Sequence, residues 1–160
     1  MASLLRTDKE IMDIYNRQVD TVYRICFSFM KTRADTEDMV QETFLRLMSS
    51  GTVFQSEKHE KAWLIVTASN VCKDALRRSW RKHTSIEELP EIAQEGPELN
   101  PVLEAILALP KDQKTAVYMY YYEGYSSAEI AQALGCRQGT VRSRLSRARQ
   151  ALKEDLGGDA

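Results

Sequence analysis

Six basic side chains and no acidic one lie between Arg137 and Lys153, near the C-terminal end of the chain. Guanidinium groups can donate paired hydrogen bonds to guanine edges and further bonds to phosphate oxygens, so this pattern is typical of a helix docked on DNA. The alternative is an amphipathic surface helix with a solvated basic face. Surface helices usually mix both signs of charge, and this segment does not. The sequence therefore favours DNA binding.

A helix-turn-helix is the element that must position these arginines. Ala131, Gly135 and Val141 have the spacing of a small contact residue, a turn residue and an apolar anchor. Ser126 and Glu129 predict a capping box that starts the first helix. One apolar stripe is predicted along the second helix, formed by Val141, Leu145, Ala148 and Leu152.

Three longer helices are predicted in the N-terminal half of the chain. The first spans about Lys9 to Met30, the second begins with Asp35 as its N-cap, and the third spans about Lys61 to Arg81. The positions expected to point inward on the second and third helices are Val40, Phe44, Leu47, Leu64, Ala68, Val71 and Ala75.

Charge is segregated along the chain, although the formal net charge is only −1. Residues 73–83 contain five Lys or Arg and one Asp, whereas residues 84–104 contain six Glu and no Lys or Arg. The predicted fold class is all-α, with two small helical domains joined by an acidic linker. We expect the first domain at residues 1–82, the linker at 83–100, and the domain that contains the helix-turn-helix at 101–156.

A tyrosine-rich helix is predicted just before the helix-turn-helix, from Lys111 to Glu123, with Gly124 ending it. Its tyrosines could form a stacking platform for bases. Packing against the helix-turn-helix is the better explanation for Val117, Tyr120 and Tyr121.

Composition and motifs argue against several other classes of protein. No apolar run reaches the roughly 20 residues that span a bilayer, and no signal-peptide core is present at the N-terminus. Cys26, Cys72 and Cys136 are odd in number and widely spaced, which favours reduced thiols in the cytoplasm over disulfides or a zinc site. Without a phosphate loop, paired metal ligands or a nucleophile–base pattern, we expect no enzyme activity, no metal and no cofactor.

Three segments together resemble the extracytoplasmic-function sigma factors, small bacterial transcription initiation factors. These segments are DTEDMVQETFLRL at 35–47, AWLIVTASNVCKDALRR at 62–78, and the stretch at 109–153 that contains GTVRSRLSRAR. The resemblance implies that the first domain is sigma region two, which binds polymerase and opens the −10 promoter element. It implies that the second domain is sigma region four, which reads the −35 element.

The resemblance also implies the partners. Region two would bind the clamp helices of the largest subunit of core RNA polymerase, and region four would bind the flap of the second-largest subunit. Promoter DNA is the second partner, and an anti-sigma factor is a further candidate, since many members of the family are held by one. The residues implied in core-polymerase binding are Asp35, Asp38, Gln41, Glu42 and Leu45. Acidic groups would complement basic clamp residues, although a solvated helix face explains the same pattern.

The third predicted helix and the loop before it, about Gly51 to Lys61, would capture the unpaired −10 strand. Opening needs a stacking ring, groups that bond base edges, and cations along the backbone. Trp63 is equally well explained as a core residue, and Ile65 stands where many members of the family carry an aromatic. The residues implied in −10 binding are Trp63, Asn70, Lys73, Arg77 and Arg78.

The second helix of the helix-turn-helix would read the −35 element. The residues implied are Arg137, Thr140, Arg142, Ser143, Ser146, Arg147 and Arg149. Arg137 stands where Ser or Pro is more usual in the family, and Ser146 where some members carry a larger side chain.

Two alternatives remain from the sequence. A stand-alone helix-turn-helix regulator would bind duplex DNA without polymerase, and an anti-sigma mimic would copy these surfaces. The intact basic helix argues against the mimic. Stable association with core polymerase would separate a sigma factor from the stand-alone regulator.

Overall fold

The computed structural model describes residues 6–82 and 97–155. Its helices are α1 (Asp8–Met30), α2 (Arg33–Ser49), α3 (Glu57–Lys82), α4 (Pro101–Leu107), α5 (Lys111–Val117), α6 (Ser127–Leu134) and α7 (Gln138–Asp155), with a π-helical turn, Tyr118–Tyr122, directly after α5. No strand occurs in this part of the chain. The prediction of an all-α fold is confirmed.

The chain divides into two compact units, Met1–Pro97 and Glu98–Ala160. We refer to them as unit 1 and unit 2 and describe each by itself. Most of the acidic linker predicted at 83–100 lies outside the described residues.

Unit 1 is built from α1, α2 and α3, each of which packs against the other two. Ile25 of α1, Leu47 of α2 and Leu64 of α3 have no exposed surface. Burying such side chains is the main favourable term that holds a small helical domain together. The inward positions predicted on α2 and α3 are all buried except Ala75, which is partly exposed.

The start of α2 differs from the sequence prediction. Thr32, not Asp35, is the N-cap, and its hydroxyl accepts the backbone N–H of Asp35 at 3.3 Å. The chain leaves α1 through Lys31 in the left-handed conformation, with φ 71°, so the N-cap of α2 lies three residues before Asp35. Asp35 therefore lies in the first turn of α2, where its negative charge interacts favourably with the helix dipole. The third helix also begins earlier than predicted, at Glu57 instead of Lys61.

Unit 2 contains α4 to α7 and the π-helical turn. Asn100 caps α4, because its side-chain oxygen accepts the Leu103 N–H at 2.8 Å. The core includes Ile106, Val117 and Ile130, and α7 packs on both α5 and α6. Unit 2 thus supports α7 from two sides.

The prediction that Tyr120 and Tyr121 belong to the core is wrong, whereas Val117 is fully buried as expected. Tyr118 has no exposed surface, while Tyr120 and Tyr121 are 38% and 45% exposed. The cause is the π-helical turn, in which the Glu123 N–H reaches back five residues to the Tyr118 carbonyl at 3.2 Å. A π-turn changes the angular phase of the residues in it, so counting at α-helical spacing selects the wrong tyrosines.

The helix-turn-helix forms as predicted. Ser126 and Glu129 make the reciprocal capping box at the start of α6. Gly135 has φ 69°, a left-handed conformation that glycine adopts without a Cβ penalty. Ala131 and Val141 are both buried where the two helices meet. The turn therefore fixes α7 against α6 with its apolar side inward.

Candidate nucleic-acid interface

The recognition face is the solvent-exposed side of α7. Val141, Leu145 and Ala148 are buried as the predicted stripe requires, and Leu152 is partly exposed. This orientation leaves the opposite side free for polar residues. The exposed members of the face are Arg142, Ser143, Ser146, Arg147 and Arg149, and Thr140 is partly exposed.

Helical geometry divides this face into two stripes. Arg142, Ser146 and Arg149 follow one line along the helix, at intervals of four and three residues. Thr140, Ser143 and Arg147 follow the neighbouring line, and Arg147 Nη2 donates to the Ser143 hydroxyl at 3.3 Å. Between Arg137 and Arg149, α7 and its N-cap carry five arginines and no carboxylate.

Arg137 lies at the N-cap position of α7, directly before Gln138. Its backbone carbonyl accepts the N–H groups of Thr140 and Val141 at 3.0 Å and 3.3 Å, and its side chain is exposed. Gln138, which the sequence analysis did not select, supplies a contact between the helices. Its side-chain amide donates to the Ser127 hydroxyl at the start of α6, at 2.8 Å. That bond helps to orient the first turn of α7.

Arg149 has a partner outside the helix-turn-helix. Its Nε donates to the hydroxyl of Tyr121 at 3.3 Å, and this bond raises the pKa of Arg149. The Tyr121 ring meets the Tyr120 ring edge-on, with centroids 5.0 Å apart. Tyr121 thus connects the π-helical turn to the recognition face, a role that the sequence pattern did not reveal.

The α3 face consists of the residues predicted for the −10 element on the third helix. Trp63, Asn70, Lys73 and Arg77 follow one line along α3, and Arg78 lies beside them. Asn70, Arg77 and Arg78 are exposed, whereas Trp63 and Lys73 are partly exposed. The line from Trp63 to Arg78 is about 22 Å long at the rise of an α-helix. Ile65 is fully buried and has no surface on this face.

Asp74 binds both terminal arginines of the α3 face. Its carboxylate lies 2.5 Å from Arg77 Nη2 and 2.8 Å from Arg78 Nη2. The hydrogen bond from Arg77 and the charge of Arg78 lower the pKa of Asp74. The two guanidinium groups are therefore held beside each other while both remain largely exposed.

Trp63 is neither a pure core residue nor a free platform. The Trp63 and Phe54 rings meet edge-on with their centroids 5.8 Å apart, and the Phe54 ring meets the His59 ring in the same manner at 5.4 Å. Phe54 belongs to the loop of residues 50–56 that leads into α3, which we call the α3 loop. Val53 in this loop is 78% exposed. A cavity of about 440 Å³ lies beside the loop, lined in part by Thr52, Val53 and Phe54.

The α2 face consists of the residues predicted to bind core polymerase. Asp35, Asp38, Gln41 and Leu45 are exposed, and Leu45 is 55% exposed despite its apolar side chain. Glu42 is partly exposed and pairs with Arg46 one turn later, at 3.5 Å. Met48, one turn beyond Leu45, is 47% exposed, so the apolar part of the face is larger than the sequence analysis indicated.

The described residues contain no group of His, Cys, Asp and Glu side chains that could hold a metal ion. None of the helices within residues 6–82 and 97–155 is long and apolar enough to cross a membrane.

Comparison with known protein families matches both units. The family described as Sigma-70 region 2 matches residues 14–82, and the family described as Sigma-70, region 4 matches residues 99–152. The chain is 33% identical over 141 residues to the probable RNA polymerase sigma-C factor of Mycobacterium bovis, covering 82% of this chain and 76% of that protein. It is also 32% identical to the ECF RNA polymerase sigma-E factor of Haemophilus influenzae, covering 78% and 76%.

The chain belongs to the extracytoplasmic-function (ECF) sigma factors. It is an alternative sigma factor that acts with core RNA polymerase and promoter DNA. The stand-alone regulator is not favoured, since region 2 accounts for the N-terminal half of the chain. Sigma factors are transcription initiation factors without a catalytic step of their own. The chain is also 33% identical over 158 residues to the ECF RNA polymerase sigma factor SigE of Mycolicibacterium smegmatis. The match covers 90% of this chain and 60% of the longer SigE protein.

Solved structures support the same assignment. The sigma factor RpoE from Bartonella quintana, in complex with the anti-sigma factor NepR, has a TM-score of 0.68 and 25% identity, covering 95% of this ECF sigma factor and 97% of that chain. CnrH, in complex with the cytosolic domain of CnrY, has a TM-score of 0.63 at 20% identity, covering 96% and 92%. The second similarity establishes a shared fold.

Proposed function

We propose that unit 1 binds the clamp helices of core polymerase through the α2 face and opens the −10 element with the α3 face. Unit 2 then reads the −35 element through the recognition face and binds the flap. The domain limits remain those expected from the sequence, 1–82 and 101–156 with a connector at 83–100. The protein performs no reaction of its own and works in the cytoplasm, where core polymerase is found.

The observation that carries this proposal is the presence of exposed basic side chains on both units. Arg77 and Arg78 are exposed on α3, and the arginines of the recognition face are exposed on α7. A protein that only bound duplex DNA through a helix-turn-helix would need one such surface. Two of them suit a factor that contacts a promoter at two elements.

On the recognition face, arginines can fork onto guanine O6 and N7, each good contact contributing roughly 1–3 kcal/mol of base discrimination. Arg142 and Arg149 lie on the same stripe as Ser146, so the small serine between them leaves room for a base edge. Arg137 and Arg147, both exposed, would contact phosphates. Phosphate contacts set the register of the helix, and base contacts provide the sequence preference.

On the α3 face, the aromatic pair of Phe54 and Trp63 lies at one end and the paired cations Arg77 and Arg78 at the other. Stacking of a base on an aromatic ring contributes roughly 1–3 kcal/mol and does not depend strongly on the base. Asn70, between the two ends, can bond the edge of an unpaired base. This order of groups suits a separated strand that runs along α3.

The α2 face offers carboxylates around an exposed apolar centre formed by Leu45 and Met48. Such a centre with a charged rim is the usual composition of a protein interface. Both similar solved structures contain an anti-sigma factor or a cytosolic partner domain, so an anti-sigma factor is a further candidate partner of this chain.

Run-off transcription with core polymerase tests the proposal. Genomic fragments, including DNA upstream of the protein's own coding sequence, serve as templates. We expect initiation on some of them, loss of initiation when Asp38→Asn and Gln41→Ala are combined, and unchanged thermal unfolding. Asp20→Asn, an exposed carboxylate on α1, is the matched control. Normal initiation by the double variant would disprove the α2 assignment, and failure on every fragment, without co-purification with core polymerase, would favour the stand-alone regulator.

A further inference from the structure

Arg6, just before α1, makes three contacts with the α3 loop and a fourth with the end of α2. We propose that Arg6 is a positioning residue for promoter opening, which holds the α3 loop so that Phe54 and Trp63 present a preformed aromatic surface to unpaired bases. The proposal rests on the function proposed above for the α3 face. Arg6 would act through the loop and not by touching DNA.

The first part of the argument is the hydrogen bonding. Arg6 Nη1 donates to the carbonyls of Leu47 and Ser50 at 3.2 Å and 2.7 Å, and Nη2 donates to the carbonyl of Thr52. The Leu47 carbonyl, near the end of α2, also accepts the Ser50 N–H at 3.2 Å, so Arg6 adds a second donor there. The guanidinium therefore binds the end of α2 and the beginning of the α3 loop at the same time.

The second part is the aromatic contact. The Arg6 guanidinium carbon lies 4.8 Å from the centre of the Phe54 ring, within the range of a cation–π interaction. The Phe54 ring also contacts the Trp63 ring edge-on. Arg6, Phe54 and Trp63 thus form a continuous series from the N-terminal segment to the first turns of α3.

The other end of the loop is held locally. The Gln55 N–H donates to His59 Nδ1 at 3.1 Å, and the His59 N–H donates to the Ser56 hydroxyl at 3.1 Å. These bonds join the loop to its own helix and do not involve Arg6. Loss of Arg6 should therefore loosen residues 50–54 and leave the start of α3 in place.

An arginine is required by this geometry. Its planar group has five donors that can meet carbonyls in its plane while its face covers an aromatic ring. A lysine keeps the charge, but its single ammonium cannot reach the carbonyls of Leu47, Ser50 and Thr52 and lie flat on Phe54 together. The comparison of Arg6→Lys with Arg6→Ala thus separates positioning from simple positive charge.

The test uses the full chain assembled with core polymerase on a promoter found by run-off transcription. Open complexes are measured by permanganate reactivity of unpaired thymines, and assembly by the affinity for core polymerase. We expect both Arg6→Ala and Arg6→Lys to lower the yield of open complexes about tenfold, the scale of one lost charge-assisted hydrogen bond, with assembly within about twofold of the wild type. In the free protein, amide hydrogen exchange should accelerate at residues 50–54. Lys9→Ala, which removes an exposed cation nearby, should change neither quantity.

Normal opening by Arg6→Ala would overturn the proposal, as would wild-type behaviour of Arg6→Lys or a loss of opening matched by an equal loss of assembly. Should Arg6→Ala fail to fold, Arg6→Lys, which keeps the charge but loses the planar group, must show the opening defect by itself. Trp63→Ala distinguishes the two proposals. Normal opening by Trp63→Ala would reject the role of the α3 face itself, whereas a defect there beside normal opening by Arg6→Ala would reject Arg6 alone.

Discussion

Arg17 on α1 and Glu60 on α3 form a two-point ion pair, with Nη2 2.8 Å from Oε1 and Nε 3.2 Å from Oε2. Gln18 donates a further hydrogen bond to Glu60 at 2.8 Å. The exposed fractions of the two charged side chains differ, at 39% for Arg17 and 6% for Glu60. The pair therefore joins a partly hydrated cation to a buried anion on the helix that carries the α3 face.

This asymmetry predicts unequal effects of removing each partner. Arg17→Ala leaves the Glu60 carboxylate buried with the hydrogen bond from Gln18 on α1 but without its cation, and we expect a loss of about 2–4 kcal/mol in the free energy of unfolding. Glu60→Gln should cost about 1–2 kcal/mol, because Arg17 can turn toward water. Urea denaturation measures both values. Equal losses would contradict the asymmetry.

The same pair predicts a dependence of stability on pH. Burial raises the pKa of Glu60, but hydrogen bonds from Arg17 and Gln18 outweigh it, and the pKa lies below its usual value of 4.5. Because the folded pKa is the lower one, the pair contributes its stability above that usual value and loses it as the pH falls through the folded pKa. The difference in unfolding free energy between the wild type and Glu60→Gln should shrink from about pH 6 to about pH 3. A difference that stays constant would show that Glu60 is not the titrating group.

Asp74 is expected to weaken DNA binding by unit 1, since it holds the two arginines that would otherwise meet phosphates. Asp74→Asn should raise affinity for a single-stranded −10 oligonucleotide a few-fold at low salt and steepen the salt dependence by about one phosphate contact. Fluorescence anisotropy over a salt series measures both. Asp20→Asn makes the same change of charge on α1, and an equal gain there would mean that net charge alone is responsible.

Tyr121 is expected to orient Arg149 for the −35 element. Tyr121→Phe removes the hydroxyl that accepts the Arg149 Nε–H and should weaken duplex −35 binding about two- to fivefold, with little change in stability. Tyr120→Phe removes a neighbouring hydroxyl of similar exposure and serves as the control. In the background of Arg149→Ala, Tyr121→Phe should have no further effect. An undiminished effect there would mean that Tyr121 acts independently of Arg149.

Two glycines of the helix-turn-helix should respond to alanine in opposite directions. A Cβ at Gly135 or at Gly139 meets no atom within 4 Å, but Gly135 has φ 69°. Gly135→Ala should therefore cost about 1–2 kcal/mol of backbone strain. Gly139 lies in the first turn of α7, and Gly139→Ala should stabilise by about 0.5 kcal/mol. Thermal unfolding, followed by circular dichroism, measures the stability of both variants. Destabilisation by Gly139→Ala as well as by Gly135→Ala would contradict the prediction.

The helix-turn-helix could be predicted because each of its positions obeys a local rule. The left-handed turn needs Gly135, and the capping box needs Ser126 and Glu129 three residues apart. The start of α2 was harder, since Thr32 and Asp35 are both good caps. The choice between them depends on the left-handed Lys31, which the sequence pattern does not signal.

The candidate sites divide in the same way. The exposed residues of the recognition face follow from the apolar stripe that opposes them, so periodicity was sufficient to place them. Their roles on DNA remain predictions. Arg6 could not be found from local patterns, because its carbonyl partners lie 41 to 46 residues away in the sequence. The link from Tyr121 to Arg149 spans 28 residues and was equally hidden.

The π-helical turn gives unit 2 an unusual sensitivity to chain length. A π-turn is geometrically equivalent to one extra residue inserted in an α-helix, and one residue corresponds to about 100° of rotation. Deleting a single codon within Tyr118–Tyr122 would restore α-helical spacing and rotate the tyrosines about the helix axis. The hydroxyl of Tyr121 would then leave Arg149 although every residue of α7 was unchanged. A related chain with one residue fewer in this turn could carry the same α7 sequence, but its arginine at the position of Arg149 would lack the tyrosine hydroxyl as a partner.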